Sequence, residues 1–414
     1  MMSATVFSQL LLLGTSPLLT RLYSPHDFGI FGLIMAYASV LSIVITGRYE
    51  LAIMLPEDSI KAIHVVILTC AVTALFSVIT LFGTVIVLHG SLFSSFAVFN
   101  ELGNWVYAVP VIALLQSLYQ ALYFWFNRQQ QYTMMARYRI WNGVLITGIA
   151  LIMGLWPVLP NGLIVSQIVA YAVLLLGMGW KFWREIKQLN MAIEWGIITT
   201  QAKRYKDFPR FLVVAHSLES LSAQLPVIML GELFGTAVAG YFTLTQRVIA
   251  APIGFIAKAA GDIIRERFST VYRKQGNCRN DYMGAVKGLS LIAVIPLTIF
   301  GLFGPSLFSA VFGADWTTSG IYAQVLAVMI FFQMIASPVS VLYMIAEKQR
   351  QELMLQIVRV TLCAAALEAG YLSFQNDIVS IIFFGVAMCL IYCFMIYQTN
   401  SWACPSVEAK IWRI

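Results

Sequence analysis

The chain has 414 residues, 60% of them hydrophobic and only 11% charged, with a formal net charge of +7. Soluble proteins carry about 25% charged residues, and no globular core is large enough to take up this much apolar sequence. A soluble enzyme is excluded, and the apolar excess must face lipid.

Cutting at clusters of charge, Pro and Gly gives twelve apolar spans, at 2–20, 28–47, 62–89, 104–126, 138–158, 161–180, 211–231, 236–257, 285–303, 317–345, 354–374 and 377–397. The expected fold is an all-α polytopic membrane protein, with 12 transmembrane helices in two pseudo-symmetric six-helix lobes around a central cavity. The N-terminal lobe is expected over 1–180, a basic interfacial linker over 181–210, the C-terminal lobe over 211–400 and a cytoplasmic tail over 401–414. The first stretch, MMSATVFSQLLLLGTSPLLTRL, lacks the basic leader and small-x-small site of a cleaved signal, so it is read as the first span. Its Thr5, Ser8, Gln9 and Ser16 form a polar stripe, and Pro17 can free a backbone carbonyl.

Lys and Arg test this cut. With a cytoplasmic N-terminus, all but two of the 26 fall in or beside cytoplasmic connections or the tail. The exceptions are Arg21, on the opposite side, and Arg247, within span eight. Short-loop bias of this kind sets orientation, so both termini are expected on the cytoplasmic side. The positive charge then lies against anionic lipid and not on a nucleic-acid site. Arg48, Arg139 and Arg359 count here as cations in or beside connections.

The sequence repeats. RLYSPHDFGIF (21–31) aligns with ELFGTAVAGYF (232–242) at an offset of 211, which pairs Gly29 with Gly240. RQQQYTMMARYRI (128–140) aligns with KQRQELMLQIVRV (348–360) at an offset of 220, which pairs Arg139 with Arg359. Parallel repeats with a central site are common in alternating-access transporters.

Charges inside the bilayer cost about 2.5–3.5 kcal/mol each on insertion scales, so they face a cavity or a partner. Span seven, FLVVAHSLESLSAQLPVIML, aligns His216, Glu219 and Gln224 on one face ahead of Pro226. Span eight carries Arg247 with Gln246 beside it, and a short turn makes the two spans antiparallel neighbours. Glu219 and Arg247 therefore stand at comparable depth. They form either a structural ion pair or the lining of an aqueous cavity for an anionic substrate or coupling ion. Further polar stripes run through span four (Gln116, Tyr119, Gln120 and Tyr123) and span ten (Gln333, Ser337, Ser340 and Tyr343). These serve equally as substrate contacts or as hydrogen-bonding glue between helices. The six cysteines read as small hydrophobes, and no metal or catalytic constellation is spaced for chemistry.

Two stretches carry a resemblance: SPLLTRLYSPHDFGIFGLI with GRYELAIMLPED, and RYKDFPRF with SLSAQLPVIMLGELFGTAVAGYFTLTQRVIAAPIGF. They resemble the bacterial polysaccharide flippases, the O-antigen and capsule-type lipid-linked oligosaccharide translocases of the multidrug/oligosaccharidyl-lipid/polysaccharide exporter superfamily. The resemblance implies two lobes around a cationic cavity and movement of undecaprenyl-diphosphate-linked repeat units from the cytoplasmic to the periplasmic leaflet. It also implies a coupling proton or sodium ion and no bound cofactor, with membrane lipids and other polysaccharide assembly proteins as partners. By the same pattern Arg21, Arg48 and Arg247 are the cations matched to the phosphates or sugar acids. An ion-coupled multidrug exporter of the same superfamily is the alternative. It is disfavoured by the scarcity of acids within the spans. A membrane-embedded polymerase is disfavoured by the short outer connections.

Overall fold

The computed structural model describes residues 2–89, 97–156, 160–189 and 193–403. The tail beyond Ala403, with Cys404, and the middle of the outer connection at 90–96 lie outside the described residues. All regular structure among the described residues is helical.

In the first part of the chain the helices are α1 (Met2–Leu22), α2 (Pro25–Thr46), α3 (Tyr49–Ala52), α4 (Ser59–His89), α5 (Ala97–Leu102), α6 (Ala108–Arg128), α7 (Tyr132–Leu155), α8 (Gly162–Gln188), α9 (Trp195–Arg204) and α10 (Val213–Phe234). A single π-helical turn, Phe208–Leu212, leads into α10. The remainder are α11 (Thr236–Gln275), α12 (Arg279–Phe312), α13 (Thr317–Val339), α14 (Leu342–Ile345), α15 (Gln349–Phe374) and α16 (Asp377–Ala403). A long helix stands at each expected span. Among the described residues, ten of them are long and apolar enough to cross a bilayer. Large side chains on the outer surfaces are apolar, with Leu176 75% and Leu291 76% exposed. Exposure on this scale requires lipid as the solvent, because backbone groups are satisfied within each helix and the side chains present hydrocarbon. The chain is a multi-pass membrane protein.

Contacts gather the chain into two compact units, residues 1–240 and 241–414. In the first unit α1 packs on α7, α2 on α6 and α10, and α4 on α6 and α9. In the second, α13 packs on α12 and α16, and α16 on α15.

Helix α2 shows how the sequence sets its own limits. Ser24 Oγ accepts from the Asp27 N–H at 3.2 Å, and Asp27 Oδ2 accepts from the Ser24 N–H at 3.0 Å, with Pro25 at the first helical position. These bonds satisfy two amides that the first turn leaves unpaired. The helix stops at Gly47 (φ 56°), and Arg48 repeats the left-handed conformation (φ 59°).

The start of α2 crosses the start of α11 backbone to backbone. A methyl group on Gly29 would lie 1.7 Å from Thr236 O, and one on Gly240 would lie 1.8 Å from Pro25 O. Pro25 and Thr236, like Gly29 and Gly240, correspond at the repeat offset of 211. The contact is therefore reciprocal, each repeat placing its glycine on the other's first turn. His26 Nδ1 meets Thr236 Oγ1 at 2.5 Å at the same crossing.

The linker forms α9, which packs on α4 with Ile198 and Gln201 buried and Trp195 exposed. Before it, Lys187 stands over the Trp183 ring at 3.7 Å and Arg184 over the Trp180 ring at 4.5 Å. Such cation–aromatic pairs suit a bilayer interface.

The second repeated segment has a different register from the one expected. Helices α7 and α15 begin 217 residues apart (Tyr132 and Gln349), and each follows a residue of positive φ, Gln130 at 55° and Glu347 at 56°. The Gln131 N–H donates to Phe126 O at 3.0 Å, and the Lys348 N–H donates to Tyr343 O at 2.7 Å, closing the same turn twice. Side-chain identity alone had favoured the offset of 220. The backbone turn corrects it to 217, which pairs Arg139 with Gln356 and Asn142 with Arg359.

Candidate functional site

The end of α2 delivers charge into the first unit. With two consecutive left-handed residues, the chain turns back directly after an apolar helix and aims Arg48 and Glu50 inward. Arg48 Nη1 and Glu50 Oε1 pair at 3.1 Å, with the side chains 20% and 2% exposed. The Arg48 N–H donates to Thr46 Oγ1 at 3.2 Å. Arg48 Nε and Glu50 Oε2 are buried without a hydrogen-bond partner. Burying a charged pair costs several kcal/mol per ion before any attraction is counted, and unpaired buried atoms add to that cost. A pair buried this way inside the protein is weak evidence for stability and a candidate for function.

Helix α10, packed on α2, brings the third member. His216 is half-buried, its Nδ1 has no hydrogen-bond partner, and Arg48, Glu219 and Glu50 all act on it electrostatically. Glu219 lies one turn further along and is exposed. Two acids, an imidazole and a guanidinium thus share one region. The imidazole is a group that can take or give a proton. The guanidinium can receive an anion once its carboxylate partner is protonated or displaced.

The structure therefore brings together Arg48, His216 and Glu219 from the sequence candidates, and adds Glu50. Gln224 lies further along α10, half-buried, ahead of the buried Pro226. Arg21 is exposed in the last turn of α1. On α6, Gln116 is half-buried with Oε1 lacking a partner, and Gln120 is exposed. Tyr123 stacks on Tyr119 at 6.1 Å and lies under the Arg139 guanidinium at 5.4 Å. Gln246 and Arg247 on α11 and Gln333 on α13 belong to the second unit, and all three are half-buried. The pairing of Glu219 with Arg247 would join the two units and remains a proposal. Within the second unit a cavity of about 590 Å³ is lined by Ser337, Pro338 and Ser340 of the span-ten stripe, with Asp262, Arg265 and Glu352.

Glu50 escaped the sequence reading because it follows the apolar run and looks like a loop acid. The signal was Gly47-Arg48, a residue pair able to turn the chain back on itself. Arg139 and Arg359 were absorbed into the cytoplasmic charge count, whereas both lie inside helices, α7 and α15.

The sequence model of a family described as "Polysaccharide biosynthesis protein" matches residues 18–321. No curated protein matches the chain. Among solved structures, the chain is similar to the lipid II flippase MurJ in an inward closed conformation, with TM-score 0.70 and 11% identity, covering 95% of this chain and 86% of that one. It is similar to an inward-facing multidrug resistance MATE family transporter of the MOP superfamily, with TM-score 0.60 and 14% identity, covering 100% and 96%. It is also similar to a MOP superfamily transporter from Pyrococcus furiosus whose binding pocket is described as of reverse polarity, with TM-score 0.60 and 14% identity, covering 97% and 94%. At these identities the likeness establishes the fold.

Proposed function

The chain belongs to the polysaccharide biosynthesis protein family, and from that premise we propose that it is a flippase and not an enzyme. Its cargo is an undecaprenyl-diphosphate-linked oligosaccharide, carried from the cytoplasmic to the periplasmic leaflet of a bacterial inner membrane by alternating access. Both termini are cytoplasmic, and an ion gradient drives the cycle.

The observation that carries this reading is the buried Arg48–Glu50 pair, with half-buried His216 and exposed Glu219 beside it on α10. A largely buried guanidinium attracts the diphosphate, and its carboxylate holds the site neutral while no cargo is bound. His216 and Glu219 supply the groups through which a proton gradient can act. Arg247 is the matching cation in the second unit.

The test is translocation of a lipid-linked oligosaccharide in reconstituted vesicles. Arg247→Ala abolishes translocation while membrane levels of the protein stay normal. Unaffected translocation removes Arg247 from the pathway, and loss of the protein itself assigns it a structural role. If His216 and Glu219 couple protons, translocation rises with an imposed pH gradient, and Glu219→Gln loses that dependence while keeping basal binding. A gradient response unchanged in Glu219→Gln moves coupling elsewhere.

A further inference from the structure

In the register set by their turns, α7 and α15 carry the same two chemical groups in opposite order. Arg139 precedes Asn142, and Gln356 precedes Arg359. Each pair is spaced three residues apart, so guanidinium and carboxamide share one helix face. Neither arginine has a carboxylate partner, because the ion pairs among the described residues are Arg48–Glu50 and Arg267–Asp281. Arg139 Nη1 donates to Thr5 Oγ1 at 2.6 Å and its guanidinium covers Tyr123. Arg359 covers the Tyr392 ring at 5.8 Å and donates from Nη2 to its hydroxyl at 3.5 Å.

The amides are left incomplete in the same way. Asn142 Oδ1 and Gln356 Oε1 are both buried without a hydrogen-bond partner, and so is Arg359 Nε. Tyr171, beside Asn142, meets the Tyr119 ring edge-on at 5.5 Å. Each station therefore offers a cation without a counter-ion, an acceptor without a donor, and an aromatic face. Buried polar groups left open in both repeats, beside a charge that the helix must carry into lipid, are a cost with no structural return.

We propose that Arg139 with Asn142, and Gln356 with Arg359, are two binding stations for a glycosyl phosphate, one in each half of the duplicated sequence. The assignment rests on the flippase reading and narrows it to the phosphate and its first sugar. The guanidinium holds phosphate oxygens in its planar fork. The amide oxygen accepts a sugar hydroxyl, and the tyrosine ring backs the sugar's apolar face. A purely structural arginine, moored to its tyrosine, would give the same fold and no ligand.

The experiment uses the full chain in lipid nanodiscs, with a hexose 1-phosphate and inorganic pyrophosphate as probes and binding followed calorimetrically. Wild type binds both. Arg139→Gln and Arg359→Gln each weaken binding at least about tenfold, and the lysine variants recover only part of it because the bidentate geometry is lost. Asn142→Leu and Gln356→Leu weaken the hexose phosphate severalfold and leave pyrophosphate unchanged. Asn142→Asp and Gln356→Glu keep each side chain's shape and give each arginine its own carboxylate. They fold as wild type, by melting temperature, and weaken both probes. Unchanged affinity in these acidic variants or in folded arginine variants overturns the stations, as does a wild type that binds neither probe. If the arginine-dependent binding is found but vesicles translocate no lipid-linked sugar, the stations stand and the flippase reading falls. If Arg139→Gln and Arg359→Gln translocate normally, the stations fall and the flippase reading stands.

Discussion

The two ends of α2 are built on opposite rules. At Pro25 and Gly29 the helix meets the start of α11 through backbone atoms, with no space for a methyl group on either glycine. At Gly47 and Arg48 it ends in a buried ion pair, with polar atoms left unpaired and an imidazole from α10 nearby. One end is closed by the absence of side chains, the other is held open by charged ones. The same helix can serve both purposes because its middle is apolar and packs on α6 and α10, leaving the ends to be chosen separately. The lesson is that tight packing and buried polarity are separated along this helix rather than around it.

The largest effect should come from breaking the polar end. Glu50→Gln leaves the Arg48 guanidinium buried with no counter-ion, and costs about 3–5 kcal/mol on denaturation of the detergent-solubilised protein. Replacing both partners, Arg48→Met with Glu50→Leu, recovers most of that stability and none of the transport. A double variant as unstable as the single one would mean the pair is structural, and the contrast between the two ends would dissolve.

At the dry end, Gly29→Ala and Gly240→Ala each cost about 1–3 kcal/mol by overpacking. Because the crossing is reciprocal, the two single effects match and the double variant costs less than their sum. Unequal effects in melting experiments would show that one repeat carries the contact alone.

The smallest expected effects concern the caps at the same crossing. Ser24→Ala removes the cap that α2 makes from its own sequence, for about 1 kcal/mol. Helix α11 begins after Gly235, which has no side chain, and the Thr236 N–H is met instead by Glu101 Oε2 at 2.8 Å. Glu101→Ala costs a similar amount through a residue distant in sequence. Amide exchange at the first turns of α2 and α11 separates the two: Ser24→Ala exposes only α2, and Glu101→Ala only α11.

Much of this architecture was legible because lipid imposes simple rules. Apolar length located every long helix but not its full extent, since α11 runs on to Gln275 and α12 to Phe312, past the spans expected at 236–257 and 285–303. Gly29 and Gly240 stood out as a repeated pair before their contact was known. The register of the second repeat was misread, since matching Arg139 to Arg359 rewards identical side chains. Backbone turns at Gln130 and Glu347 obey geometry instead, and they show arginine and amide exchanged. Arg139 and Arg359 also satisfied a charge-bias rule that counts cations without asking where they point.

Composition and apolar length determined that this chain lies in a membrane as long helices, because continuous apolar runs of about 20 residues satisfy their backbone without water as helices. Local sequence also determined where α2 begins and ends, through a cap and a glycine that need no distant partner. Only the tertiary structure decided that Glu50 is buried beside Arg48 and near His216, that Glu101 caps α11, and that two glycines 211 residues apart share one crossing. Those facts depend on which helix faces bury one another. Hydropathy is blind to that choice when most faces are apolar and lipid competes equally for them.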